Sequence, residues 1–98
     1  MHWIWDEEKS RTNRRDHEVS FETAQLVFDD PLAITLPDPF PGEERWRTVG
    51  SPSNSIDVIL FVVHTWPEVD ETGEEIGRII SARKATRNER RAYEEGAF

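Results

Sequence analysis

Cationic side chains gather toward the C-terminal end of the chain, where six basic residues are accompanied by one acid, Glu89. These residues are Arg78, Arg83, Lys84, Arg87, Arg90 and Arg91. The guanidinium group of arginine is a planar fork that can bind two oxygens of one phosphate. Local positive charge can form a phosphate site on a protein that is acidic overall. The same pattern also fits the solvated face of a terminal helix, and charge alone favours that second interpretation.

Arg78 and Arg83 are the best candidates for phosphate binding. They lie near the start of a predicted strand and just past its end. Because successive side chains of a strand face opposite sides, residues five apart point to opposite faces of a regular strand. Both arginines can reach one phosphate only if the strand bends, bulges or ends by Ala82. A surface ion pair with nearby acids such as Glu74 and Glu75 is the alternative role for either arginine.

Two other side chains are suited to proton transfer, His64 and Glu44. His64 lies near the end of an apolar strand, and its position favours a histidine at the edge of the core that its neighbours hydrogen-bond. Glu44 stands beside Arg45 at the start of another strand, where a solvated carboxylate is the simpler interpretation. The functional alternative for both residues is a general acid or base.

Lys9, Asn13 and His17 follow one another at a spacing of four residues along a predicted helix, so they share one face. Lys9 could contact a phosphate and His17 could transfer protons. A polar seam that ties the helix to the following turn is the favoured interpretation for Asn13 and His17.

The rest of the sequence predicts the elements that position these side chains. A short strand at residues 2–5 precedes a helix at 7–16, which Asp6 caps. Ser20 caps a second helix at 21–28, which ends before Pro31 because proline cannot continue a helix. Four strands follow at 32–36, 45–50, 56–65 and 76–82, with 56–65 apolar on both faces and therefore central. Residues 68–75 form an acidic loop, and a capping box of Thr86 and Glu89 opens a last helix that runs to residue 95. Helices followed by strands indicate an α+β fold with a four-stranded antiparallel sheet, in one domain that spans residues 1–98.

The composition excludes several classes of function. The chain has no cysteine, so disulfides and thiolate chemistry are excluded. Its longest apolar run, residues 58–63, is far too short to span a bilayer, and no signal peptide is visible. Three scattered histidines form no zinc motif, and there is no glycine-rich phosphate loop, so we expect neither a metal nor a cofactor. The net charge of −8 argues against nonspecific binding of nucleic acid by the molecule as a whole.

Four segments taken together resemble the BrnT family of toxins over nearly the whole chain. The first contains Trp5-Asp6, Lys9, Asn13 and His17, and the second contains Val19-Ser20-Phe21-Glu22, Ala24, Val27-Phe28 and Asp30-Pro31. The third is Gly42-Glu43-Glu44-Arg45 with Gly50, and the fourth comprises residues 63–65, 78–86 and 89–94. Each segment is weak alone, but their order and spacing agree jointly.

The resemblance implies a RelE-like fold and an endoribonuclease toxin that cleaves RNA without a metal, inhibits translation and arrests growth. It also implies a partner, a BrnA-like antitoxin with a DNA-binding ribbon-helix-helix part. Contact with operator DNA in such a complex belongs to the antitoxin. A bacterial cytoplasm is the expected location, with no membrane association.

Metal-free cleavage of RNA requires removal of the 2′-hydroxyl proton, protonation of the leaving 5′-oxygen and stabilisation of the charge on phosphorus. The candidates for these catalytic tasks are Arg78, Arg83, His64 and Glu44. The candidates for further contacts with RNA are Lys9, Arg45, Lys84 and Arg87.

The acidic balance supports an alternative function, because an acidic surface suits a basic partner better than RNA. The loop at residues 66–75 alone carries five acids, which departs from the family's shorter and less acidic loops. The alternative is a weak or inactive toxin homologue that survives as an antitoxin-binding co-repressor.

Overall fold

A short first strand and three helical segments are followed by five strands and a last helix, and the strands form one mixed sheet. The computed structural model describes residues 1–53 and 57–96. The elements are β1 (His2–Ile4), α1 (Glu7–His17), α2 (Phe21–Ala24), a 3-10 helix (Gln25–Asp29), β2 (Ile34–Asp38), β3 (Arg45–Gly50), β4 (Leu60–His64), β5 (Glu68–Val69), β6 (Glu75–Lys84) and α3 (Arg87–Glu95). The α+β class is therefore confirmed. None of the helices in the described ranges is both long and apolar enough to cross a membrane.

Side-chain caps determine where the helices begin. The Asp6 carboxylate accepts hydrogen bonds from the backbone N–H groups at the start of α1, and the Ser20 hydroxyl caps α2. Thr86 and Glu89 form the predicted capping box at the start of α3. These groups satisfy backbone donors that have no partner inside the helix. All three N-caps expected from the sequence are confirmed.

The second predicted helix, residues 21–28, divides into α2 and the 3-10 helix. Its end tightens because Pro31 cannot continue an α-helix and forces the residue before it into an extended conformation. Asp30 has φ −78° and ψ 115°, and its N–H donates to the Val27 carbonyl at 3.1 Å. The strand predicted at 56–65 is also shorter, because β4 begins only at Leu60; Ile56 lies outside the described residues.

The sheet is mixed and has six strands, so the expected four-stranded antiparallel sheet is incomplete. Its order is β1-β6-β4-β3-β2, and β5 pairs with the first residues of β6. β2 pairs with β3, β3 with β4, and β4 with β6, and all three pairs are antiparallel. β1 instead lies parallel to β6. The pairing of β1 with β6 brings together segments from near the two ends of the chain. A strand of three residues carries no sequence pattern that could identify a partner so far away in the sequence. The central position expected for β4 is confirmed.

Two apolar clusters lie on opposite faces of the sheet. The first face, which we call the α2 face, packs Val19, Phe21, Ala24 and Val27 against Leu60, Val62, Ile79 and Ala82. The second, which we call the α3 face, packs Tyr93 of α3 against Val49, Ile59 and Phe61. The even and odd residues of β4 thus alternate between the two faces, as the pleat of a strand requires.

A bulge in β6 changes this alternation at one point. Val63 of β4 pairs with Ser81, but the next residue, His64, pairs with Ile79, so Ile80 is an extra residue. Ile79 and Ala82 consequently both reach the α2 face although they are three positions apart. The bulge therefore places Arg78 and Arg83 on the same face, the α3 face, which is the condition that their spacing required.

Two polar contacts anchor α3 to the rest of the molecule. Arg83 makes a two-point ion pair with Glu89, at 2.8 and 3.0 Å, and its guanidinium lies 4.1 Å from the centre of the Phe61 ring. The Tyr93 hydroxyl donates to Asp30 at 2.6 Å. Burial and this bond to a carboxylate raise the pKa of Tyr93 to about 12. Both contacts position the side of α3 that faces the sheet.

The Asn13 side chain attaches α1 to the edge of β6. Its amide nitrogen donates to the carbonyls of Val19 and Ala82, both at 2.7 Å, and its oxygen accepts from the Ala82 N–H at 3.3 Å. Asn13 is buried, and beyond Arg78 this edge of β6 has no strand partner among the described residues. The amide therefore replaces the missing strand, and the polar seam favoured for Asn13 is confirmed.

We expect Asn13→Ala to lower the free energy of unfolding by about 2–3 kcal/mol, because it leaves buried backbone groups without partners. Urea unfolding of the purified protein measures this change. Thr12→Ala, an exposed change on the same helix, is the control, and we expect it to alter stability by less than about 0.5 kcal/mol. Equal stability of the two variants would show that Asn13 does not hold α1 on the sheet.

Candidate functional site

An open cavity of about 250 Å³ lies where α1, β3 and β6 approach one another. Its lining consists of Asp6, Lys9, Glu43, Arg45, Arg78, Ile79 and Ile80. Three of these side chains are cations and two are carboxylates, in a molecule whose net charge is −8. We call this space the Arg78 cavity. The cavity therefore brings together cationic side chains, which the negative net charge of the whole chain does not indicate.

Glu43 brings two guanidinium groups together in this cavity. One of its carboxylate oxygens accepts an ion-paired hydrogen bond from Arg78. The other accepts from Nε of Arg45 at 3.2 Å and forms an ion pair with Nη2 of Arg45 at 3.2 Å. The guanidinium of Arg45 also lies 3.8 Å from the centre of the Phe40 ring. Two arginines thus converge on one anionic group, which is the arrangement that binds phosphate oxygens in other sites.

The backbone of Arg78 is fixed at the end of β4. Its N–H donates to the Thr65 hydroxyl, and its carbonyl accepts from the Thr65 N–H, both at 2.9 Å. The side chain of Arg78 remains about half exposed, so it is held at its base and open to solvent at its tip.

Lys9 completes the cationic lining from the first turn of α1. The Asp6 carboxylate accepts from the N–H groups of Glu8 and Lys9, at 2.9 and 3.3 Å, and so determines where this turn begins. Lys9 is exposed and forms no ion pair with any of the described residues. Its ammonium group is therefore free to meet an anion at the mouth of the cavity.

Arg83 does not line the Arg78 cavity, although the bulge places both arginines on one face. Five residues of strand separate them by roughly 15 Å. The fork of Arg83 is occupied by Glu89. Partial burial acts to raise the pKa of Glu89, but the hydrogen bonds and charge of Arg83, with the Thr86 N–H, outweigh it and lower that pKa. The structure therefore does not bring Arg78 and Arg83 together at one phosphate.

His64 is also outside the cavity, because its ring is buried on the α2 face. Nδ1 lies 2.8 Å from the Thr65 carbonyl, which can only accept, so Nδ1 carries the proton of the neutral ring. Nε2 then accepts from the Thr48 hydroxyl at 2.7 Å, and Thr48 in turn accepts from Thr35 at 2.7 Å. The rings of Trp3 and Phe28 meet His64 edge to face. The expectation of a histidine that its neighbours hydrogen-bond is confirmed, and this ring is not part of the lining of the Arg78 cavity.

The other candidates are on the surface. Glu44 is exposed and is not part of the lining of the cavity, whereas its neighbour Glu43 is. Lys84 is exposed and pairs loosely with Glu18 at 3.4 Å, and Arg87 is exposed at the start of α3. Of the eight residues singled out from the sequence, the structure brings together Arg78, Arg45 and Lys9.

Sequence reasoning missed Glu43 and Asp6 as parts of the site. Adjacent residues point in different directions, so only the conformation of the chain before β3 could distinguish Glu43 from Glu44. The position of Asp6 could have been predicted from the sequence. An N-cap residue lies beside the first turn of its helix, and the first turn of α1 contains Lys9.

Fold and site together define a small α+β protein with a cavity lined by two arginines and a lysine. The family model for "Ribonuclease toxin, BrnT, of type II toxin-antitoxin system" matches residues 5–89, which contain every residue of the Arg78 cavity. The chain belongs to this family of ribonuclease toxins, as the resemblance indicated. A comparison with the curated proteins found no match.

The buried ring of His64 should make the stability of the protein depend on pH. Burial lowers the pKa of His64 below 6.5 and outweighs the hydrogen bond to Thr65. Above about pH 6.5 the ring is neutral in both the folded and the unfolded state, so the full stability is present. As the pH falls below 6.5 the unfolded state binds a proton that the folded state resists. The free energy of unfolding should then fall, by at most about 1.4 kcal/mol per pH unit.

Urea unfolding between pH 7.5 and 5 measures this dependence. His64→Gln should remove most of the slope, and His17→Gln, a change at an exposed histidine, should retain it. The pKa values of Asp30 and Glu89 are lowered from ordinary values of 3.8 and 4.5, so both carboxylates contribute to the pH dependence mainly below this window. A wild-type slope that persists in His64→Gln would assign the pH dependence to another group.

Proposed function

We propose that this protein is a metal-independent endoribonuclease toxin whose active site is the Arg78 cavity, and that a BrnA-like antitoxin neutralises it. Membership of the family supports a ribonuclease toxin with an antitoxin partner. The observation that carries the assignment of the site is the convergence of Arg78 and Arg45 on one carboxylate, with Lys9 beside them.

The proposed reaction begins when a phosphate of RNA takes the place that the Glu43 carboxylate holds between the two arginines. The 2′-oxygen attacks phosphorus, the bond to the 5′-oxygen breaks, and a 2′,3′-cyclic phosphate and a 5′-hydroxyl result. Arg78 and Arg45 stabilise the negative charge that develops on the phosphate oxygens.

Glu43, displaced from the arginines but still at the cavity, removes the proton from the 2′-hydroxyl. Lys9 is the group in the lining that can donate a proton to the leaving 5′-oxygen. Glu44, exposed one residue away, is the second candidate for the base.

The remaining candidates support binding of RNA or the structure of the protein rather than the chemical step in this proposal. Lys84 and Arg87 are exposed near the end of β6 and the start of α3, where they can contact RNA backbone beyond the cavity. Arg83 positions α3 through Glu89. His64 stabilises the sheet beneath the site. A RelE-like arrangement and a cytoplasmic location are parts of the same proposal.

Induced expression of variants in a bacterial host, with growth followed and total RNA analysed at early times, tests this assignment. Arg78→Ala should abolish growth arrest and RNA loss, because removal of one charged transition-state partner costs about 100-fold or more in rate. Arg15→Ala, which changes an arginine that is 74% exposed on α1, is the matched control and should arrest growth like wild type.

Arg83→Ala separates structure from chemistry in the same assay. It should lower the free energy of unfolding by about 1–3 kcal/mol, since it leaves Glu89 without its partner. At a temperature where the variant remains folded, growth arrest should persist. If folded Arg83→Ala failed to arrest growth while Arg78→Ala still arrested it, the active site would not be the Arg78 cavity.

Glu43→Gln and Glu44→Gln identify the carboxylate that takes the 2′-proton. We expect Glu43→Gln to slow cleavage about 100-fold or more and to remove the acidic limb of the pH–rate profile. Glu44→Gln should retain that limb. The reverse result would assign the base to Glu44 and leave Glu43 as a structural partner of the arginines.

The ion pairs that Glu43 forms with both arginines also favour a second function, because they neutralise the cavity in the free protein. In that case the protein acts as an antitoxin-binding co-repressor with weak or no nuclease activity. Soluble, folded wild-type protein that leaves growth and RNA unchanged would select this function.

A further inference from the structure

The outer edge of β1 has no strand paired with it in residues 1–53 and 57–96. The sheet order ends at β1, and the backbone of His2–Ile4 makes no hydrogen bond with another described segment apart from its pairing with β6. An edge of this kind presents N–H and C=O groups that an extended chain can pair with.

Apolar side chains are exposed near β1 on both faces of the sheet. Ile4 is 45% exposed and Val69 is 67% exposed, and both line a cavity of about 360 Å³ above the start of β6. Met1 and Leu26, which are 69% and 43% exposed, line a second cavity of about 480 Å³ beside the 3-10 helix. Because a strand sends alternate side chains to opposite sides, one extended segment along β1 could fill both cavities.

The charge in the Ile4–Val69 cavity selects the partner. The turn after β5 and its flanks carry the acids Glu68, Asp70, Glu71, Glu74 and Glu75, and β5 lies on the opposite side of β6 from β1. Glu68 and Asp70 line this cavity together with Ile4 and Val69. Asp70 is used within the turn, where it accepts from Thr72 and Glu74, and the other four are exposed. A segment that carries Lys or Arg complements this surface, whereas RNA is repelled by it.

We propose that the outer edge of β1 is the docking site for an extended segment of the antitoxin in which apolar residues alternate with basic ones, added to the sheet as a further strand. This rests on the proposed function in taking the partner to be the antitoxin. The geometry also connects docking with inhibition, because Arg78 lines both the Ile4–Val69 cavity and the Arg78 cavity. A segment seated on β1 covers Arg78 from the side that RNA would use.

The test uses the purified full chain and a synthetic ten-residue peptide of alternating valine and lysine, with a valine–glutamate peptide of equal length as control. Binding is measured by titration calorimetry, and the site is located by hydrogen exchange of the β1 backbone amides. We expect the lysine peptide alone to bind and to slow exchange in β1, and we expect salt to weaken the binding.

Two variants of the chain locate the contact. Val69→Lys and Ile4→Lys should each weaken peptide binding about tenfold or more, while Leu32→Lys, an equal charge change at a residue that is 67% exposed near β2, should change it less than about twofold. The use of two sites guards against misfolding of either variant. Absence of binding, equal effects of the three variants, or protection of β1 by a short RNA would overturn the proposal. No RNA is cleaved in this assay, so a failure here is distinct from a failure of the nuclease assignment.

Discussion

One extra residue in β6 determines how the rest of the site is arranged. Because Ile80 is bulged out of register with β4, the strand keeps Ile79 and Ala82 in the same core while Arg78 and Arg83 share the opposite face. Without the bulge, one of the two arginines would point into the apolar α2 face, where an unpaired guanidinium is very costly. The bulge thus reconciles a continuous core with a cationic surface on a single strand.

The electrostatics of the protein are local rather than global. A molecule of net charge −8 repels RNA at long range, yet the Arg78 cavity holds three cations within a few side-chain lengths. Glu43 keeps the two guanidinium groups converged on one carboxylate. In the proposed function an incoming phosphate competes with that carboxylate, and we infer that this competition limits the affinity for RNA.

Hydrogen bonds between buried polar groups hold the strands and α1 in fixed positions. The chain of hydrogen bonds from Thr35 through Thr48 to His64 crosses three strands of the sheet, and Asn13 satisfies the edge of β6 where no strand is available. Fully paired polar groups of this kind fix the register of their neighbours because any slip would leave them buried without partners. They hold β3, β6 and α1, the elements that surround the cavity.

Local features were determined by the sequence alone. Interactions between residues that are close in sequence determine the caps at Asp6, Ser20 and Thr86, the end of the second helix before Pro31 and the apolar pattern of the central strand. The family resemblance was likewise visible in the order and spacing of short sequence segments. Tertiary structure alone decided the parallel pairing of β1 with β6, the bulge at Ile80, the burial of His64 and the choice of Glu43 over Glu44 at the arginines. Each of these depends on contacts between residues far apart in the chain, whose free energies are comparable for several pairings until the whole core is packed.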